Sequence, residues 1–305
     1  MIIRKKEHWI SMIFIWKGSV LPKLLFRLVL LFIMAVAIVV FNGVVFDIKI
    51  QLNPAPFTLF GIALAIFLGF KNSTSYDRFW EARKLWGALV FTARSLTRQA
   101  QSLSYYEKNS KEIIRFADLI IAFSYTFKHQ LRFTDPYQDI EKRLGSALAE
   151  QLKPIIYKPV MLLNEMGAWL KKAREEGKLD AVSAANIDIN LNELSHILTG
   201  CERIANTPIP YTYKVLLHRT VYIYCFLLPF GFVDSLGWMM PLIVTFIAYT
   251  FVALEAVADE LEDPFGLEPN DLALNSMCHV IEDSLLELTD RKVIVRPPVV
   301  GYIRD

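Results

Sequence analysis

Ile62, Ile66 and Phe70 stand at i, i+4 and i+8 in the stretch PAPFTLFGIALAIFLGFKNSTSYDRFWEARKLW, residues 54–86. On a helix that spacing places three bulky apolar side chains on one face. Several copies arranged around a symmetry axis would turn the face into three apolar rings. Such a constriction gates by dewetting, because an ion loses hydration there and gains no ligand. Gly61, Ala63, Ala65 and Gly69 supply small surfaces elsewhere on the same helix, which let neighbouring helices approach closely. The spacing alone fits equally a face that is packed against other helices, the ordinary fate of an apolar stripe.

Other residues offer less chemistry. Asp77, Arg78, Glu81, Arg83 and Lys84 mix charge at helical spacing and read as ion pairs. His218 and Arg219 stand at the entrance of a later apolar stretch, where polar side chains snorkel or pair. His8, His129, His196 and His279 form no sequence-local metal set. There is no P-loop, no G-x-S-x-G and no zincin motif. No acid/base pair or nucleophile constellation supports an enzyme. Cys201, Cys225 and Cys278 lack metal or disulfide spacing and read as small buried hydrophobes.

These residues hang on a chain that is 54% hydrophobic and 21% charged, so only part of it can sit in lipid. A net charge of +2 gives no electrostatic case for nucleic acid. Four apolar stretches stand out, at residues 28–46, 57–70, 220–233 and 236–254. The first and fourth suffice for ~30 Å of hydrocarbon, which takes about 20 residues; the second and third need their flanks or sheltering neighbours. Arg4, Lys5, Lys6, Lys17, Lys23 and Arg27 precede the first span, and Lys71, Arg78, Arg83, Lys84, Arg94 and Arg98 follow the second. The link between them carries only Asp47 and Lys49. The positive-inside rule therefore places both termini in the cytoplasm and that link outside, with Asp234 in a tight outer turn between the third and fourth spans.

Residues 71–213 then read as cytosolic helices. IIRFADLIIAFSYTFKHQL (113–131) and LNELSHILTGCERI (191–204) repeat apolar residues at three and four, and Pro136 and Pro154 mark breaks. Trp9, Met12, Ile13 and Trp16 fit one face of an interfacial helix, or of an ordinary amphipathic one. Apolar helices that run on into charged ones suggest one elongated unit. Its segments are an interfacial N-terminal helix (1–27), two spans with the neck (28–70), a cytosolic helical region (71–213), two further spans (214–257) and a cytosolic C-terminal segment (258–305), ending in an extended tail from Lys292.

Three strings resemble a known family. FLGFKNSTSYDRFWEAR (67–83), TPIPYTYKVLLHRT (207–220) and ELEDPFG (260–266) look like signatures of the bestrophin channels, in the family's order. GCERIANTPIPY (200–211) is most similar to the bacterial members. The resemblance implies an all-α membrane protein with four transmembrane helices per subunit, continuing into a helical cytosolic region and forming a homopentamer around one central pore. It assigns Ile62, Ile66 and Phe70 to a hydrophobic neck. It places a second, cytosolic constriction near Ala185, Ile187 and Ile189. Eukaryotic bestrophins clasp calcium around the third signature, and the matching positions here are Glu260, Asp263, Glu268 and Asp271. All four bear oxygen, which a hard cation requires. The acidic run is broken by Leu267, Pro269 and Asn270, so the expectation is no cofactor and a helix end with solvated carboxylates. The resemblance to the bacterial branch implies a multi-pass protein of the bacterial inner membrane, with monovalent ions and the lipid bilayer as partners. An apolar neck has no charge with which to select a sign. Acidic Asp47 and Asp234 near the outer face, with cation-conducting bacterial relatives, favour a monovalent cation (Na+/K+) over chloride. A secondary transporter is the alternative class, and it would need discontinuous helices, buried charges and an internal repeat that the sequence lacks.

Overall fold

A computed structural model describes residues 8–45, 48–49 and 52–296. The fold is all-α. Within the described residues the chain divides into two compact units, residues 8–79 with 208–264 and residues 80–207 with 265–296, where one elongated unit was expected.

The first unit holds the apolar helices. A short helix, α1 (Trp9–Ile13), leaves Trp9, Met12 and Ile13 exposed. It ends before Trp16, which therefore does not extend a helical face as the spacing suggested, and Gly18 turns the chain at φ 87°. Helix α2 (Leu21–Val40) starts with Pro22 in its first turn, where the missing N–H costs nothing. This start lies one to two turns before the apolar stretch itself. The helix stops at Val40, not at Phe46, because Asn42 and Gly43 adopt φ 48° and 73°; the Gly43 N–H then reaches the Ile38 carbonyl at 2.8 Å. Two short strands follow, β1 (Val44–Val45) and β2 (Ile48–Lys49), paired antiparallel with Val44 opposite Lys49.

Helix α3 (Pro54–Leu103) is unbroken over 50 residues, about 75 Å of rise. Its prolines, Pro54 and Pro56, are confined to the first turn, and Asn53 Oδ1 accepts the Ala55 N–H at 2.9 Å. The flanks of the 57–70 stretch thus supply the missing span length. Helix α9 (Tyr211–Leu236) does the same for the third stretch and contains Asp234, which lies in the helix and not in the turn after it. Gly237, at φ 52°, opens a single 3-10 turn (Gly237–Met239) into α10 (Met240–Glu262). By length and composition Leu21–Val40, Pro54–Leu103 and Tyr211–Glu262 are apolar enough to cross a membrane, and the last is divided at Gly237 into α9 and α10. Helix α2 packs on α9 and α10, and the unit's core runs through Leu24, Leu28, Ala35, Leu64, Leu68, Val221, Leu228 and Val244. Phe26, Phe246 and Trp238 point outward, as lipid-facing residues do.

The second unit is built around α4 (Lys111–Leu131), capped by Ser110 and buried over most of its surface. The later half of α3 contributes Trp86, Leu89, Ala93 and Leu96 to this unit's core, and Trp86 stacks on Phe127 of α4 with centroids 5.2 Å apart. Helices α5 (Tyr137–Leu144) and α6 (Ser146–Leu152) follow the Pro136 break, and α7 (Lys158–Glu175) packs on α4. Asp180 caps α8 (Ala181–Asn206) by accepting the Val182 and Ser183 N–H groups at 2.9 and 3.0 Å. Helix α11 (Leu274–Leu288) closes the unit against α4.

A charged cluster holds the segment from Arg291 to Arg296 to this core. Glu282, 2% exposed, accepts the Tyr125 hydroxyl at 2.7 Å and pairs with Arg143 and Arg296. Arg296 also meets Asp283 at 2.5 Å, and Arg291 meets Asp118 at 2.8 Å. Burial lowers the Arg143 pKa from its usual range. The three cysteines are buried and outside any disulfide.

Candidate ion-conduction site

The neck candidates lie on α3 within the first unit. Ile62, Ile66 and Phe70 are 56%, 54% and 63% exposed, an apolar stripe left bare in the single chain. The opposite face of the same helix carries Leu64, Leu68, Lys71 and Ser75, all buried. Small residues fix how this helix sits. A Cβ on Gly61 would fall 2.8 Å from the Tyr224 hydroxyl, and one on Gly231 would fall 2.8 Å from the Phe57 ring. The Tyr224 hydroxyl donates to the Phe57 carbonyl at 3.3 Å.

Just past Phe70 the stripe is anchored by charge. Lys71 Nζ, with its side chain fully buried, meets Asp259 Oδ1 at 2.9 Å. Lys214 approaches the same carboxylate at 3.2 Å and Glu262 at 3.6 Å. Asn72 donates to the Leu68 and Leu254 carbonyls at 2.9 and 3.0 Å, which ties α3 to α10. Glu262 accepts the Ile209 N–H at 3.1 Å, and its own carbonyl accepts Arg78 Nε at 3.1 Å. The signatures at 67–83, 207–220 and 260–266 thus meet in one polar collar. Sequence reasoning missed the burial of Lys71, which reads first as a solvated positive-inside charge. The signal was present: Leu64, Leu68, Lys71 and Ser75 follow i, i+4, i+7 and i+11, the register of the buried face.

The other expected residues fall elsewhere. Ala185 and Ile189 are exposed on α8, but Ile187 is fully buried in its own unit and is not a lumen residue. Glu260 pairs with Lys23 at 2.9 Å. Asp263 ends α10, and Asp271 Oδ2 accepts the Glu268 N–H at 2.8 Å. Among the described residues no group of three or more acidic, histidine or cysteine side chains is placed to hold a metal. Asp47 lies outside the described residues. Asp234 meets Lys49 at 2.9 Å, so its charge is balanced locally. His218 pairs with Glu255 at 2.8 Å.

Residues 1–287 match the bacterial/fungal bestrophin family. The chain belongs to the bestrophin family. A voltage-dependent anion channel-forming protein of Ralstonia nicotianae is 45% identical over 288 residues, 94% of each chain. The voltage-dependent anion channel-forming protein YneE of Escherichia coli is 41% identical over 302 residues, 96% of each chain. The crystal structure of a bacterial bestrophin homologue from Klebsiella pneumoniae superposes with a TM-score of 0.84 at 42% identity, covering 88% of this chain and 100% of that one. This bestrophin is a bacterial membrane protein and an ion channel, not an enzyme. Its apolar helices are the physical counterpart of the membrane assignment.

Proposed function

We propose that this bestrophin is a homopentamer with one axial pore, in which Ile62, Ile66 and Phe70 line a hydrophobic neck that passes small monovalent ions. One observation carries the reading: three large apolar side chains, Ile62, Ile66 and Phe70, are exposed on one face of a helix that buries Leu64, Leu68, Lys71 and Ser75 on another. A symmetric ring of copies would bury that face around an axis. Both termini are cytoplasmic, the membrane is the bacterial inner membrane, and the pore passes from residues 28–70 into the cytosolic region 71–213. Ala185 and Ile189 are the candidates for a cytosolic ring. The unbroken α3 supports a channel over a secondary transporter, whose binding sites use discontinuous helices.

For the sign of the ion there are two readings. Likeness to bacterial bestrophins favours a monovalent cation, but the Asp234–Lys49 pair removes one of the acidic groups that argued for it. The relatives from Ralstonia nicotianae and Escherichia coli are named as anion channel-forming proteins, which favours an anion. The test is the reversal potential of the purified protein in a planar bilayer under a salt gradient. A value near the cation equilibrium potential selects the first reading, and one near the chloride potential selects the second. Absence of current from an intact pentamer overturns the proposal of an open passive pore.

A further inference from the structure

Helices α2 and α9 leave a groove of about 530 Å³ between them. Leu30 and Met34 line one wall, Ile223 and Phe226 the other, and Ala248 and Val252 of α10 form the floor. The lining is apolar except at one end, where Arg27 and Tyr222 sit. Arg27 Nη1 donates to the Tyr222 hydroxyl at 2.5 Å, and its guanidinium lies 5.7 Å from that ring's centre. A guanidinium has five N–H donors in a fork, so this hydrogen bond leaves most of them to face outward. Arg219 is exposed and precedes Ile223 and Phe226 by four and seven residues, on the same face of α9. The carboxylates of this region have other partners: Glu255 meets His218 Nδ1 at 2.8 Å and Glu260 meets Lys23 at 2.9 Å. An apolar slot thus ends at Arg27, with Arg219 exposed on the face of α9 that carries Ile223 and Phe226, and the nearby Glu255 and Glu260 have partners other than these arginines.

We propose that this groove holds an anionic phospholipid, with one acyl chain in the slot and the phosphate at Arg27 and Arg219. Arginine forks suit phosphate oxygens, and basic pockets between transmembrane helices recognise anionic headgroups. A second protein chain seated there would bring apolar surface onto two guanidinium groups, whereas a phospholipid matches both ends of the slot. The inference requires that the helices span a bilayer but is independent of conduction.

The test uses the intact assembly, purified in mild detergent with phosphatidylglycerol and phosphatidylcholine, and native mass spectrometry to count retained lipids. Each cation near the headgroup contributes about fivefold in association, so wild type is expected to favour phosphatidylglycerol by about 25-fold. Arg27→Gln and Arg219→Gln each lower that preference about fivefold, and the double variant abolishes it. Ile223→Trp, which fills the slot from an exposed position, lowers retention of both lipids and keeps the assembly intact. Equal retention of phosphatidylglycerol by wild type and the double variant overturns the proposal, as does unchanged retention in Ile223→Trp. A disulfide between subunits in a Leu30→Cys/Phe226→Cys variant overturns it too, because a second copy would then cover the groove.

Discussion

The Lys71–Asp259 pair gives the sharpest test of how the neck helix is held. The two ends of the pair differ in surroundings. The Lys71 side chain is fully buried, and its ammonium meets Asp259 Oδ1 at 2.9 Å. Asp259 is 39% exposed and keeps Lys214 at 3.2 Å when Lys71 is removed. The two halves of the pair should therefore cost different amounts to break. Asp259→Asn strands a buried ammonium, and removing one partner of a buried pair costs about 3–5 kcal/mol. Lys71→Met replaces the ammonium with an apolar chain of similar length and leaves Asp259 paired and partly solvated; the loss is about 1 kcal/mol. Lys71→Met in the Asp259→Asn background removes the stranded charge and should restore most of the loss. Thermal unfolding of the purified protein in one detergent reads all four forms. The expected drop for Asp259→Asn is about 10 °C, against a few degrees for Lys71→Met and for the double variant. If Lys71→Met is as damaging as Asp259→Asn, or if the double variant is the least stable of the set, the argument from asymmetric burial fails.

Shortening the neck with Ile62→Ala, Ile66→Ala and Phe70→Ala together should ease wetting and raise single-channel conductance; currents indistinguishable from wild type would remove these residues from the pore. Gly231→Ala forces a Cβ to within 2.8 Å of the Phe57 ring and should cost about 1–3 kcal/mol, read as a lower melting temperature that Phe57→Leu partly recovers. Glu282→Gln leaves Arg143 and Arg296 without their shared buried carboxylate and should destabilise the second unit by about 3–5 kcal/mol, visible as early proteolysis at the chain's end. Asp139 gives a pH dependence. Burial works to raise its pKa, but the His129 hydrogen bond and the Lys128 and Lys142 charges outweigh it and hold the carboxyl below its usual range. A carboxyl depressed in the folded state stabilises above its unfolded pKa of about 3.9, and that contribution is lost as pH falls through the folded value. Asp139→Asn should therefore lower stability at pH 6 and narrow its difference from wild type below pH 4, as measured by urea unfolding.

Much of the fold was legible because long helices announce themselves by period. The 113–131 repeat became α4 with its apolar positions buried, and the prolines at 136 and 154 fell at helix boundaries. The spans were legible as apolar mass but not as bounded elements. Asn42 and Gly43 looked like a pause in an apolar run, and only the positive φ of both residues shows a helix end. Trp16 shared a spacing with Trp9 and Met12 but lies beyond a one-turn helix that local pattern could not delimit. At the site, the common helical face of Ile62, Ile66 and Phe70 was readable from their four-residue spacing, and all three side chains are exposed in the single chain. Ile187 was misplaced because neighbouring residues on α8 point a third of a turn apart, so a small error in matching sends a lumen residue into the core. The change from apolar to charged sequence after residue 70 lies near the unit boundary at 79/80, but α3 carries no breaking residue there, so nothing local in the sequence marks where one unit passes into the other.

The burial of Cys201, Cys225 and Cys278 has a practical side. No native thiol competes at the surface for a bulky, membrane-impermeant maleimide. A cysteine placed at an exposed position, such as Lys49 beside the strand pair or Ile189 on α8, would be the dominant reactive group in an otherwise wild-type protein. Labelling intact cells against permeabilised ones would then report the sidedness of each region without first removing any cysteine, and the protein's own packing would supply the silent background.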